Sequence, residues 1–141
     1  MSTGLTLGVP MGPFGFVARG ATPGTATWEY QVQHEHFNLN GALHGGVMMA
    51  LLDTAMGHAV AALVMPEGAF NAAAQMSTYF LEPITGGTIT ARAEVKKCGK
   101  RLAVVEAAAT DVNGVVLATA TATHAILRRK PAPPAPEPDR S

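Results

Sequence analysis

The sequence predicts an α+β fold in which an antiparallel sheet of about five or six strands wraps around one long central helix. Several segments alternate apolar and polar residues with a period of two, which is typical of half-buried strands. One segment, residues 47–64, is instead continuously apolar and rich in good helix formers. A helix apolar on every side, with antiparallel strands before and after it, indicates a sheet wrapped around that helix.

The strands are predicted from their alternation and from the turns between them. In Thr25–Gln33, for example, Trp28 and Tyr30 fall on one face and Glu29 on the other. Asn113-Gly114 is a favoured pair for a tight hairpin turn between the last two strands. The predicted strands are Phe14–Arg19, which is the weakest, Thr25–Gln33, Ala72–Leu81, Thr88–Lys97, Leu102–Asp111 and Val115–Ile126.

The central helix is expected near residues 46–64 and, being apolar all round, is expected to be buried all round. Its length also suits a membrane span. We reject that interpretation because the segment carries Asp53 near its middle and is followed by amphipathic strands that need water on one face.

Composition limits the class of protein. The chain has 141 residues, of which 48% are apolar and 14% charged. This length and apolar content are enough for one domain with a real core, and they exclude disorder throughout. Ten basic and ten acidic side chains cancel, so no net positive charge favours nucleic acid or an anionic membrane as a partner. The low charge predicts that another subunit covers part of the surface.

The chain divides into three predicted parts: an N-terminal segment at 1–13, the folded domain at 14–128 and a tail at 129–141. Residues 131–141 contain five of the ten prolines, which favours a solvated, extended and disordered tail. Cys98 is the only cysteine, so an internal disulfide is excluded. The N-terminus lacks the basic and apolar regions of a signal peptide, and we therefore expect a cytoplasmic protein.

The segment that enters the helix carries the chemistry. Gly45 and Gly46 stand where a loop turns into the helix and allow backbone and ligand to approach closely. The first N–H groups of a helix have no internal partner, and the helix dipole is positive there, so a polarised carbonyl oxygen is stabilised. For the glycines alone, the simpler interpretation is a tight turn with His44 as the helix cap.

Asp53 favours a functional interpretation. A carboxylate in an apolar helix is costly unless it is paired or hydrated, and no Lys or Arg lies within four residues of it. A structural partner from a distant segment stays open as the alternative. Asp53 follows Gly45 by eight residues, or about 12 Å along a helix. If both groups act on one substrate, they are expected to come from two copies of the chain.

These residues resemble a known family. The pattern Asn38-x-x-Gly41-x-x-His44-Gly45-Gly46 followed by Leu52-Asp53 is similar to the hotdog-fold acyl-CoA thioesterases, specifically the PaaI-like branch. The resemblance covers about residues 14–128 and includes Phe80-Leu81-Glu82-Pro83. It implies a hotdog fold and hydrolysis of an acyl-CoA or related acyl thioester without cofactor or metal. It also implies a homodimer or a homotetramer built as a dimer of dimers.

The resemblance also implies roles for individual residues. Asp53, from the opposite subunit, would be the general base or the nucleophile, and Gly45 would donate its N–H to the thioester oxygen. Asn38 would position the substrate or the water, and His44 would fix the loop. Gly46 would contribute to substrate binding. Many relatives carry Ser or Thr in the next strand, but the position near Ala73 has no hydroxyl; Asn71 or Gln75 are the weak alternatives.

Half of the basic residues, five of ten, fall within 92–101 around the turn at Cys98-Gly99. A solvated hairpin tip is one interpretation. The other is a docking site for the phosphates of coenzyme A, in which Lys100 and Arg101 bind substrate. Few aromatic residues accompany these charges, so a surface for single-stranded nucleic acid is not expected.

The remaining histidines are not expected to bind metal. His34 and His36 would face the same way on a strand, but no third ligand supports them. His58 and His124 are expected to be hydrogen-bonded core or interface residues. Two functions besides hydrolysis stay open: a non-catalytic acyl-CoA-binding protein, and a hotdog hydratase or dehydratase, which Asp53 with His58 fits poorly.

Overall fold

The structure is a computed structural model that describes residues 5–128 and 134–139. In this part of the chain, seven strands form one antiparallel sheet in the order β1-β2-β3-β5-β6-β7-β4. The strands are β1 (Pro10–Met11), β2 (Phe16–Thr22), β3 (Thr25–Gln31), β4 (Ala69–Phe80), β5 (Thr88–Cys98), β6 (Leu102–Thr110) and β7 (Val116–Arg128), and the long helix is α1 (Gly45–Val64). Short 3₁₀ helices cover His34–His36 and Met65–Glu67.

The predicted α+β fold, with a sheet curled around one long helix, is confirmed. The six predicted strands correspond to β2 through β7, with ends that differ by a few residues. The two-residue strand β1 is not predicted by alternation because it is too short to show a period. It pairs with β2, so the sheet extends into the segment 1–13.

The alternation of apolar and polar residues arises because one face of each strand packs against the helix. Trp28 and Tyr30 on β3 are buried against the helix, and they pair across the strands with Ala91 and Ile89 of β5. The inner faces of β5, β6 and β7 are built largely from buried alanines. Because alanine is small, the sheet can approach α1 closely and curl around it.

The prediction that α1 is buried on every side is wrong for the single chain. Leu51, Leu52 and Met56 are fully buried, but Met49 and Asp53 are exposed. This open side of α1 runs beside β4, which is an edge strand of twelve residues with most of its side chains exposed. The sheet curls around only part of the helix, so one stripe of α1 and the strand next to it remain uncovered.

Two other sequence predictions concern α1 and the tail. By length and hydropathy the stretch Gly45–Glu67 is long and apolar enough to cross a membrane, but α1 packs along β2 through β7. Residues 134–139 are exposed and form neither helix nor strand. The other residues of the predicted tail, 129–133 and 140–141, lie outside the described residues, so the disordered tail stays a prediction.

Candidate active site

The start of α1 is organised by His44. His44 is the N-cap residue, and its Nδ1 accepts a hydrogen bond of 2.8 Å from the backbone N–H of Gly46. The backbone N–H of His44 donates in turn to the carbonyl oxygen of His36 at 2.9 Å. The structure therefore places His44 both as the helix cap and as the residue that fixes the loop.

The two glycines after His44 are required for space rather than for backbone conformation, since neither has a positive φ. A Cβ on Gly45 would lie 3.2 Å from the ring of Phe80, and a Cβ on Gly46 would lie 3.0 Å from Nδ1 of His44. Gly45 thus lets the phenyl ring pack onto the helix start, and Gly46 lets the imidazole fold back to cap it.

The Gly45 amide is the candidate oxyanion donor. Among the hydrogen bonds of the described residues, none uses the N–H of Gly45. Gly45 lines a cleft of about 510 Å³, whose other lining side chains are mostly apolar. The lining residues are Asn38, Asn40, Ala42, Leu43, Gly45, Met48, Phe80, Leu81, Glu82, Pro83, Ile84, Leu117 and Ala118. A free N–H group at a helix N-terminus is able to stabilise a carbonyl oxygen that reaches it.

Asn38 lies in the same cleft as Gly45. Its Oδ1 accepts hydrogen bonds from the backbone N–H groups of Asn40 at 2.9 Å and Ala42 at 3.2 Å. These bonds shape the loop and orient the carboxamide, while the Nδ2 group, which takes no part in them, keeps its donor protons. The structure brings together two of the predicted site residues, Asn38 and Gly45.

Asp53 lies elsewhere in the single chain. It lines an open groove of about 420 Å³ with Gly46, Met49 and Ala73, and a second cavity beside it. Neither is the cleft of Gly45, in agreement with the separation of about 12 Å along α1. Asp53 is exposed, so water reaches its carboxylate within one chain, and the charge does not need a partner from a distant segment.

The strand opposite Asp53 is irregular at this point. The pairing of β4 with β7 shifts between Ala73 and Gln75, which leaves Ala74 as an extra residue. Ala73 lines the groove with Asp53 and supplies no hydroxyl. The two proposed substitutes are engaged elsewhere: Gln75 Nε2 donates to Ser77 Oγ at 2.7 Å, and Asn71 Nδ2 donates to the carbonyl oxygen of Gly57 at 3.1 Å.

His124 on β7 lines a cavity with Asp53, although its sequence position predicts only a core or interface residue. The predicted hydrogen bond is confirmed: Nδ1 lies 2.8 Å from Oδ1 of Asn71. Burial lowers the pKa of His124 below its ordinary value, and the nearby charge of Asp53 acts in the opposite direction. The period of two in β7 places His124 on the inner face, but the partners in β4 and α1 cannot be read from spacing.

His58 is hydrogen-bonded, and His34 and His36 lie outside the strands. Nδ1 of His58 lies 2.8 Å from the carbonyl oxygen of Thr54, and its ring packs on Trp28 with centroids 4.8 Å apart. His34 and His36 form a 3₁₀ turn rather than a strand end. No group of three metal-ligating side chains is found within the described residues.

The basic turn lies at the far end of the molecule from Gly45. Lys100 lines a groove with Leu63, Val64 and Arg128, at the C-terminal end of α1. Since α1 has 20 residues, its two ends are about 30 Å apart. The structure therefore does not bring Lys100 and Arg101 to Gly45 within one chain.

The dependence of His44 on Gly46 gives a testable prediction. Gly46→Ala should push the His44 ring away and remove the helix cap, which lowers the free energy of unfolding by about 1 kcal/mol. His44→Ala removes the same bond, so the double variant should lose scarcely more than either single one. Denaturant unfolding of the four proteins measures this. Additive losses would show that Gly46 and His44 act separately.

Comparisons with known proteins show which family this chain resembles. The chain matches the thioesterase superfamily over residues 40–118. A protein of Saccharolobus solfataricus, provisionally named an esterase, is 32% identical over 107 residues, which cover 76% of this chain and 75% of the relative. Human acyl-coenzyme A thioesterase 13 is 36% identical over 84 residues, covering 59% of each chain.

A solved structure shows the same fold. The PaaI protein of the Escherichia coli phenylacetic acid degradation operon superimposes with a TM-score of 0.75 at 24% identity, covering 81% of this chain and 80% of that one. The resemblance to PaaI-like hotdog thioesterases is thereby confirmed. With its hotdog fold and a superfamily match that includes the whole of α1, with Gly45 and Asp53, the chain belongs to the thioesterase superfamily.

Proposed function

We propose that this chain hydrolyses an acyl-CoA thioester to the free acid and coenzyme A at a site shared between two copies. The membership of the superfamily supports thioester hydrolysis in general. One observation carries the finer proposal: a free N–H at Gly45 and an exposed carboxylate at Asp53 lie on one helix but line different clefts. Each copy thus contributes Gly45 to one site of the dimer and Asp53 to the other.

The chemistry divides between these halves. The thioester carbonyl oxygen accepts a hydrogen bond from the Gly45 N–H, which stabilises the negative charge that develops on that oxygen. The carboxamide Nδ2 of Asn38, oriented by the loop, donates to the substrate in the same cleft. The apolar lining of the cleft accommodates the apolar part of the substrate. Asp53 of the partner subunit activates the attacking group.

The uncovered surface supports the dimer. An exposed edge strand of twelve residues invites pairing with a second copy. A two-fold axis at such an edge makes the two α1 helices antiparallel. If the axis passes near Met49, which is 36% exposed, Gly45 of one copy lies beside Asp53 of the partner subunit, because residue 49 is midway between them. A dimer of such dimers is the larger assembly that we expect.

The same arrangement gives the basic turn a function. In the antiparallel pair, the C-terminal end of the partner's helix extends past Gly45. The eleven residues from Asp53 to Val64 place that end about 16 Å beyond the reacting carbon. Lys100 and Arg101 of the partner subunit would then stand where the phosphates of coenzyme A lie when its extended arm reaches the site.

Replacing Lys100 and Arg101 together by alanine should raise KM for acyl-CoA severalfold and leave kcat nearly unchanged, because phosphate contacts are equal in the ground and transition states. Added salt should weaken the effect. A short thioester without the nucleotide serves as the comparison substrate and Arg92→Ala on the outer face as the matched variant; neither should show the penalty. An equal loss with both substrates would contradict phosphate binding.

Thiol release from a panel of acyl-CoAs tests the function itself. Release of free coenzyme A supports hydrolysis. Tight binding without turnover would identify a non-catalytic acyl-CoA-binding protein, and turnover of enoyl-CoA without thiol release would identify a hydratase. The cytoplasm is the compartment in which we expect this reaction.

A further inference from the structure

A cavity of about 380 Å³ between α1, β4 and β7 contains a buried acceptor that no hydrogen bond uses. The cavity is lined by Asp53, Thr54, His58, Asn71, Ala73 and His124, among others. His124 is only 1% exposed, and its Nε2 has no hydrogen-bond partner in the part of the chain that the structure describes. Buried polar groups are normally hydrogen-bonded, so Nε2 of His124 is a candidate partner for a bound molecule.

The neighbours of His124 determine which of its nitrogens carries the proton. The Nδ2 group of Asn71 donates to the carbonyl oxygen of Gly57 at 3.1 Å, which turns Oδ1 of Asn71 towards His124. Because an amide oxygen can only accept, Nδ1 of His124, 2.8 Å away, must be the donor. The imidazole is neutral when Nε2 carries a lone pair, and its lowered pKa favours that form.

Two other side chains of the cavity, Thr54 and His58, already make hydrogen bonds within α1. The hydroxyl of Thr54 donates to the carbonyl oxygen of Ala50 at 2.7 Å, and His58 Nδ1 is paired with the carbonyl oxygen of Thr54. Ala73 stands directly opposite His124 across the β4–β7 pair and brings no hydroxyl. Within the described residues, His124 is the side chain of this cavity with a fully buried acceptor that no hydrogen bond uses, and the Asp53 carboxylate in the same lining is a second acceptor for a bound water.

We propose that the hydrolytic water is held between Asp53 and Nε2 of His124, so that each accepts one of its two protons. A bound water needs two or more polar partners, and this pair leaves an oxygen lone pair free for the thioester carbon. The inference rests on the proposed function and makes Asp53 a general base rather than a nucleophile.

The reaction then balances as a hydrolysis. As the water oxygen bonds to the carbonyl carbon, one proton moves to Asp53 and the other stays on the oxygen, held by Nε2 until it becomes the acid's own hydroxyl proton. The carbon–sulfur bond breaks, the sulfur keeps the electron pair, and Asp53 returns its proton to the thiolate. His124 and Asp53 belong to the same chain, while the Gly45 amide comes from the partner subunit.

His124→Phe tests the proposal because it keeps a ring in the cavity and removes the acceptor. We expect kcat to fall about tenfold or more, with KM unchanged. The melting temperature should fall slightly, because Oδ1 of Asn71 also loses its donor. Ala73→Ser places a hydroxyl opposite position 124. Added to His124→Phe, it should recover part of kcat; introduced alone into the wild type, it should not raise kcat. A kcat within twofold of wild type, or a loss that follows the melting temperature and is not recovered, would overturn the proposal.

A spectroscopic measurement on the wild type does not depend on the variants folding. In protein labelled with ¹⁵N-histidine, Nδ1 of His124 should resonate as protonated and Nε2 as unprotonated at neutral pH; the opposite tautomer would overturn the proposal. The two proposals fail differently. If the wild type releases no thiol from any acyl-CoA, the proposed function fails, whereas hydrolysis by a fully active His124→Phe variant removes only the water site.

Discussion

Replacing Asp53 with asparagine is expected to lower kcat for acyl-CoA hydrolysis about 100-fold or more, with substrate binding retained. The amide keeps the shape of the side chain but cannot take a proton from water. Within residues 5–128, none of the hydrogen bonds or ion pairs involves the Asp53 side chain, and the side chain is exposed. The substitution should therefore leave the fold intact, and any loss reports on chemistry.

Steady-state thiol release and acyl-CoA binding by calorimetry, measured on the same preparation, separate the two effects. Glu94→Gln is the matched control, because it neutralises another exposed carboxylate, on the face of β5 that alternates with the buried face, and should leave both quantities unchanged. If Asp53→Asn retained near wild-type kcat, Asp53 would be neither the base nor the nucleophile, and the shared site would lose its second half.

The strands were predictable because each has one face against the helix, so the buried face repeats every second residue. The hydrophobicity of residues 47–64 predicted the helix, but it could not predict which side of the helix this chain leaves exposed. Apolar side chains predict that α1 is buried, but they do not show whether the surface that buries it belongs to the same chain or to a second copy. The exposed Met49 and the edge strand β4 show that the chain covers only part of its own helix.

The residues at the helix start could be predicted from the sequence, whereas the contacts around His124 could not. His44, Gly45 and Gly46 are neighbours in the chain, so their spacing and the helix geometry suffice to predict a cap and a free amide. His124 and Asn71 are 53 residues apart, and their contact depends on the register of β4 against β7. That register is shifted by an extra residue at Ala74, a detail that no local pattern specifies.

Gly45→Ala is expected to lower kcat about 100-fold. Its Cβ would lie 3.2 Å from the ring of Phe80, so either the ring or the helix start must move. The shift needed is a few tenths of an ångström. If it turns the N–H out of line with the thioester oxygen, the loss is that of an oxyanion-hole donor, about 100-fold. The variant keeps Asp53 and the His44 cap, so each copy still offers an intact carboxylate to its partner.

Mixing Gly45→Ala chains with Asp53→Asn chains should therefore restore activity. Each mixed dimer joins the intact Gly45 of one chain to the intact Asp53 of the other and combines both defects at its second site. Random exchange makes half of the dimers mixed, so about one quarter of all sites are complete. We expect recovery to about that fraction of wild-type kcat. A mixture of Gly45→Ala chains with chains that carry both substitutions contains no complete site and is the control. If native mass spectrometry showed subunit exchange without recovery, both groups would act within one chain, and the antiparallel arrangement of the two helices would be wrong.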